Sequence, residues 1–237
     1  MSGPPESSIG SRRTQIIVLA VLAAIIVVIS IVISQSGSDD GSSPDGGGGS
    51  GEVAKMLEGI PQDGVTLGEA DAPATVVEFA DLQCPFCGEF ARKAFPDVVD
   101  QRVRSGDIRY ELRLISFLGQ DSKEAAQVAA AATLQNKLFD FAETFYLNQG
   151  EENSGYVTDA FLTSIAKGAG VKDLDKWNSD RSDNSKWDPL LSKNDSDAKS
   201  LGFTGTPSIL VEGPGGKKPF TTIPTVAQIE AAVKSVS

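Results

Sequence analysis

The sequence has no histidine and only two cysteines among 237 residues. Without histidine, neither a Ser-His-Asp nor a Cys-His nucleophile can be assembled, and histidine-bound zinc or haem is excluded as well. Two thiols cannot complete a four-thiolate metal site. A zinc shared between both sulfurs and carboxylates is the one such arrangement left, and a rare one, so no metal and no cofactor is expected. Positive charge is also in short supply: 21 Lys and Arg stand against 32 Asp and Glu, a net −11. The basic residues form no stripe, which argues against a nucleic-acid partner. An acidic surface of this kind serves solubility first.

What is present divides into a non-globular start and a globular remainder. Residues 1–15 are polar, carry Arg12-Arg13 and read as a cytoplasmic tail. Residues 16–33 are apolar throughout except for Ser30. As a helix they would reach about 27 Å, the threshold for crossing a bilayer. Arg12 and Arg13 precede this run and Asp39 and Asp40 follow it, so the positive-inside bias leaves the N-terminus in the cytoplasm and the rest outside. A cleaved signal peptide is the competing reading. Its apolar region is normally shorter, and no small-x-small cleavage site follows Ile33. Residues 34–51 hold nothing but Ser, Gly, Asp, Pro and Gln. Such a segment has nothing to bury and is expected to be a disordered tether spanning roughly 20–25 Å.

From Glu52 onward the composition is globular, giving a domain over 52–237. Residues 53–57 suggest a short helix, and 59–73 are rich in turn formers. Residues 74–80, ATVVEFA, read as a buried strand. A helix follows to about Arg104, with Pro85 in its first turn and Pro96 kinking it. In 108–116 the apolar positions alternate, with Ile108, Tyr110, Leu112 and Leu114 on one face of a second strand. Strand, helix and strand in this space make a βαβ unit with parallel strands. Residues 121–200 read as helical throughout, with Trp177 and Trp187 anchoring the shorter helices to one another. A hairpin over 207–223 and an amphipathic helix over 225–236 close the chain, and the whole is of the α/β class.

Both cysteines fall in one stretch, Cys84-Pro85-Phe86-Cys87, at the start of the first long helix and the carboxyl end of the first strand. Open α/β sheets place their chemistry at that end. In isolation the four residues could be a structural staple, a metal clip or a redox pair. The missing histidines weaken the clip. A staple more often closes a long loop, because so short a ring removes little entropy from the unfolded chain. At a helix N-terminus the unpaired amides and the dipole favour thiolate over thiol.

This order of elements resembles the thioredoxin fold, and the inserted helices at about 121–200 make the chain look like the DsbA-like thiol–disulfide oxidoreductases. The resemblance covers about residues 60–235. VEFADLQCPFC at 77–87 is similar to the family's strand-to-active-site segment, and LGFTGTP at 201–207 to its second active-site loop, where the proline is cis. Glu78 stands where these proteins keep a buried acid. The resemblance implies that Cys84 is the exposed nucleophile and that Cys87, one turn further in, resolves the mixed disulfide. Glu78 would take and return the proton of Cys87, unless it points to solvent or pairs with a lysine. A cis Thr206–Pro207 bond would set the Thr206 backbone beside Cys84, ready to pair with an extended substrate strand.

The expected function is a membrane-anchored, extracytoplasmic oxidase that passes its Cys84–Cys87 disulfide to reduced secreted or envelope proteins. A membrane quinone-linked partner would re-oxidise it. Family isomerases dimerise through an N-terminal domain without a counterpart here, so a monomer is expected. The alternatives are a reductase or isomerase of the same fold, or a binding or chaperone module with a structural disulfide. One departure bears on direction. The dipeptide is Pro85-Phe86, whereas strongly oxidising members often carry Pro-His, and Phe86 cannot donate to the first thiolate. A milder oxidant is expected.

Overall fold

The computed structural model describes residues 47–237; the apolar run at 16–33, the basic tail before it and most of the tether lie outside the described residues. Among the described residues no helix is long and apolar enough to cross a membrane. Order begins slightly earlier than composition implies. Residues 47–49 form a turn, and helix α1 runs Ser50–Leu57, burying Val53 and Leu57. The Asn148 side chain donates to the Gly48 carbonyl at 2.8 Å, so the last glycines of the tether are held against the domain.

The centre is a six-stranded sheet in the order β1 (Gln62–Asp63), β2 (Thr66–Leu67), β4 (Ile108–Leu114), β3 (Ala74–Ala80), β5 (Ser208–Gly213) and β6 (Gly216–Phe220). Strand β3 (Ala74–Ala80) lies in the middle and is buried at every position. Strand β4 (Ile108–Leu114) pairs with it in parallel, with Val76 opposite Tyr110, and its burial alternates as the sequence pattern requires. Between them the expected single helix is broken. Helix α2 (Pro85–Lys93) stops at Ala94, α3 (Phe95–Val98) restarts around Pro96, and a π-helical turn covers Val99–Val103. Pro96 has no N–H to continue the ladder of α2, so the chain restarts rather than bends.

Strands β5 (Ser208–Gly213) and β6 (Gly216–Phe220) form the terminal hairpin, with β5 antiparallel to β3. The far edge carries an addition. Strands β1 (Gln62–Asp63) and β2 (Thr66–Leu67) form a small hairpin that pairs with β4 within a segment expected to be all turn. Gly64 sits at its tip with φ +56, and Asp63-Gly64 is a hairpin signal in its own right.

The helical layer between β4 and β5 consists of α4 (Gln120–Ala132), α5 (Leu138–Leu147), α6 (Asp159–Gly168), α7 (Leu174–Arg181) and α8 (Asn184–Ser200). The long helical stretch after Ser122 is split where Asn136 takes a left-handed conformation, φ +54. Thr158 caps α6. Asp188-Pro189 looks like a helix start, yet α8 begins a turn earlier, where the Asp183 carboxylate accepts from the Ser185 amide. Trp177 is fully buried and its indole donates to the Val128 carbonyl at 3.1 Å, tying α7 to α4. The Trp187 indole donates to the Asp180 carbonyl at 2.7 Å, tying α8 to the end of α7. Asn194 begins an Asn-Asp-Ser triplet, but it is buried and donates to the Leu114 carbonyl at 2.9 Å, so it is packing rather than a glycan acceptor. Helix α9 (Val226–Val236) opens with a capping box between Thr225 and Gln228.

The sheet separates two apolar cores. On one face Val76, Ala80, Tyr110 and Cys87 join α5, α9 and much of the helical layer. On the other, Val77, Phe79, Phe203, Leu210 and Ala198 make a smaller cluster. Burial of each large side chain contributes about 1.5–3 kcal/mol, so both faces stabilise β3. The active segment therefore leaves the most firmly held strand of the molecule.

Candidate active site

Strand β3 ends at Ala80, and a short turn delivers Cys84 to the N-cap of α2 with Pro85 at the first helical position. Asp81 sets the turn. One carboxylate oxygen accepts from the Gln83 amide at 2.9 Å. The other accepts from the amides of Phe117 and Leu118 and from the Ser122 hydroxyl, at 3.1, 3.3 and 2.5 Å. The start of α2 is thus tied to the loop after β4. A second tie comes from Gln149, just beyond α5, whose side-chain amide donates to the carbonyls of Leu82 and Cys84 at 2.8 and 3.0 Å. Gly88 makes room for it, because a Cβ there would overlap the Gln149 carboxamide.

Both cysteines are free thiols in this structure. Cys87 faces the core and is fully buried. Cys84 departs from the expected exposed nucleophile, since it is only 5% exposed. The reason is a loop 122 residues away: the Cys84 thiol donates to the Thr206 carbonyl at 3.3 Å, so the loop before β5 shields the sulfur. The Thr206–Pro207 bond is cis. The Thr206 hydroxyl is buried without a conventional hydrogen-bond partner beside the sulfur pair. Phe86, next to Cys84 in the chain, is 58% exposed, and Phe117, whose amide is held by Asp81, is 53% exposed.

The two sulfurs have opposed acidities. The Cys87 thiol, donating to the Cys84 sulfur, brings Cys84 down to about 6; the Thr206 side chain and the amides of Cys87 and Phe86 add to this against the cost of burial. Burial, together with the neighbouring Cys84, pushes the Cys87 thiol well above its ordinary value. At neutral pH Cys84 is mostly thiolate and Cys87 is thiol. Alkylation of the reduced protein by iodoacetamide should therefore rise with a midpoint near pH 6. A midpoint near about 8.5 would remove the activated-thiolate reading.

Glu78 points into the core from β3 and is 5% exposed, so neither solvent nor a lysine receives it. Burial raises its pKa to about 7, while the Tyr110 hydroxyl, donating to it at 2.9 Å, restrains the rise. The negative charge of Cys84 raises it further. Glu78 also acts in turn on the acidity of Cys87. The structure thus gathers Cys84, Cys87, Glu78, Thr206 and Pro207 around one point, with Pro85 and Phe86 on its rim.

Sequence reasoning passed over Tyr110, Asp81 and Gln149. Tyr110 was legible as an inward residue of β4, but no spacing reveals that its hydroxyl meets Glu78. Among the described residues no cluster of carboxylates and thiols could hold a metal ion. The arrangement instead offers one thiolate poised for attack, one thiol held in reserve and a carboxyl group able to exchange a proton near neutrality.

The Thioredoxin family profile matches residues 61–234 of the chain. A probable disulfide bond formation protein D from Bacillus cereus is 30% identical over 152 residues, covering 62% of this chain and 69% of that protein. Among solved structures, oxidised BdbD from Bacillus subtilis superposes with a TM-score of 0.64 at 23% identity, covering 74% of this chain and 95% of that one. Alpha-DsbA1 from Wolbachia pipientis gives 0.60 at 20% identity, covering 78% and 95%. At these identities the two structures speak to the fold.

Proposed function

The chain belongs to the thioredoxin family, in its DsbA-like branch, and is a protein-disulfide oxidoreductase; from that premise we propose that it works as an oxidase, donating a Cys84–Cys87 disulfide to reduced secreted or envelope proteins. The observation that carries the direction is the acidity of Cys84, brought to about 6. A thiolate stabilised in the reduced form makes the corresponding disulfide easier to reduce, hence a better oxidant. At pH 7 the stabilisation amounts to roughly tenfold, or about 30 mV in a two-electron couple. That is a modest push, in keeping with Phe86, whose side chain, unlike its amide, brings no donor to the sulfur.

The apolar run at 16–33 serves as a membrane anchor in this proposal, with the following polar residues as its tether and the catalytic domain extracytoplasmic. A membrane quinone-linked protein returns the disulfide after each turnover, and the enzyme acts as a monomer. The cis loop at Thr206 presents backbone to an extended substrate segment beside Cys84.

Redox titration of the protein tests the proposal. The midpoint potential is expected above about −300 mV, and a lower value would mark an inert structural bond. In the same titration Phe86→His should raise the potential by about 30 mV or more, one tenfold gain in thiolate stability. No upward shift would show that this position does not set oxidising strength.

A further inference from the structure

One buried acid has no place in the chemistry so far. Glu143 lies on α5 and is 7% exposed. It is flanked one turn earlier by Phe139, whose ring packs edge-on against Tyr110 at 6.3 Å between centroids, and three residues later by the buried Tyr146. This face of α5 looks at the underside of the active site. The charge of Glu78 acts on Glu143, and that of Glu143 acts on Tyr110. No hydrogen bond from any described residue offsets the burial of its carboxyl group.

Glu143 also borders open space. A cavity of about 390 Å³ lies between α1, α2, the start of α3 and α5, walled by Val53, Met56, Ala91, Pro96 and Leu147 with Arg92 and Glu52 beside them. At about 30 Å³ per molecule it has room for several waters. Glu143 therefore borders this cavity and is coupled by charge to the Glu78–Tyr110 pair.

We propose that Glu143 is the solvent-side station of the proton path serving Cys87, passing protons between Glu78 and water in the cavity under α1. The proposal rests on the exchange reaction assigned above. In the oxidising direction a substrate thiolate attacks the Cys84 sulfur, and the Cys84–Cys87 bond breaks with its electron pair leaving on Cys87. Cys87 takes the proton of Glu78. Glu78, left charged in the core, is reprotonated from Glu143, which draws a proton from cavity water. The second substrate thiolate then attacks the substrate sulfur of the mixed disulfide, and Cys84 departs as thiolate. Two electrons move from the substrate to the cysteine pair. The substrate's two thiol protons go to solvent, and one solvent proton returns through Glu143 to rest on Cys87.

The groups facing this path are Glu52 from α1, Arg92 and both cysteines from α2, Glu78 from β3, Tyr110 from β4 and Tyr146 from α5. Glu143 acts through Glu78, not on sulfur, so the test must separate proton supply from packing. The oxidised full-length chain is mixed with a reduced two-cysteine peptide at low and at high imidazole concentration. Glu143→Gln should slow oxidation roughly tenfold or more at low buffer, and imidazole entering the cavity should restore the rate. The parent should be insensitive to buffer, and the midpoint potential of the variant should match it. Glu143→Leu provides the same reading should the glutamine variant fail to fold, as judged by thermal melting. Rates equal to the parent in the folded variant, or slow rates that imidazole does not restore, would overturn the relay. Failure of the parent itself to oxidise the peptide would instead overturn the exchange reaction on which the relay depends.

Discussion

Cys87→Ser is expected to turn the enzyme from a turnover catalyst into a trap. Cys84 keeps its place at the start of α2 under the Thr206 carbonyl, so it still enters mixed disulfides with cysteine-bearing partners. With serine at 87, nothing inside the protein can release them. Non-reducing electrophoresis after mixing with a disulfide-bearing peptide should show a persistent adduct. Cys84→Ser removes the attacking sulfur itself, and oxidation of a reduced peptide should fall on the order of a thousandfold or more. It should also form no adduct, because burial keeps Cys87 protonated and shielded. Adducts in Cys84→Ser but not in Cys87→Ser would reverse the two roles.

Glu78→Gln carries the second large effect, and its sign depends on pH. Folding raises this pKa from 4.5 to about 7. The native state therefore retains a proton that the unfolded chain has lost over that window. The contribution of Glu78 to stability is intact below pH 4.5 and falls away as pH rises through 7, where a charge must sit in the core. Glutamine carries no charge and can still accept the Tyr110 hydroxyl, at the cost of an amide N–H₂ with no assigned partner. The reduced variant should gain roughly 1–3 kcal/mol over the parent at pH 7.5. The gain should vanish at pH 4.5 and below. Urea titrations at the two pH values measure it. The same change should slow peptide oxidation by about tenfold or more, since Cys87 loses its proton exchanger. A variant more stable yet slower would separate the acid's role in catalysis from any role in holding the fold. Equal stability at both pH values would mean that Glu78 is not forced to carry charge in the core.

The parts of this molecule that sequence made legible are those governed by local pattern. The buried run of β3, the alternation of β4 from Ile108 to Leu114 and the amphipathic helix that closes the chain all announce themselves within a few residues. The position of Cys84 at a helix start follows from Pro85 and the strand before it. What escaped was set by contacts between distant segments. Thr206 was expected beside Cys84, but not that its carbonyl would lie close enough to cover the sulfur. Asp81 looked like an ordinary turn residue and Gln149 like part of a helix, since their partners lie in the loop after β4 and in the active-site turn itself. The hairpin at Asp63-Gly64 was hidden by its brevity, for two-residue strands gain pairing only once β4 is present to receive them.

The crossing of Gln149 over Gly88 has a consequence for inheritance and for engineering. Gln149 belongs to the helical layer, whereas Gly88 belongs to the strand–helix unit that carries the cysteines. The layer is therefore keyed to the unit beneath it, not a detachable cap. A chimera that takes its helical layer from one relative and its cysteine helix from another would inherit half of a lock. A side chain at 88 would displace the amide, and a shorter residue at 149 would leave the carbonyls of Leu82 and Cys84 without that donor. The two positions are free to change together, but not one at a time.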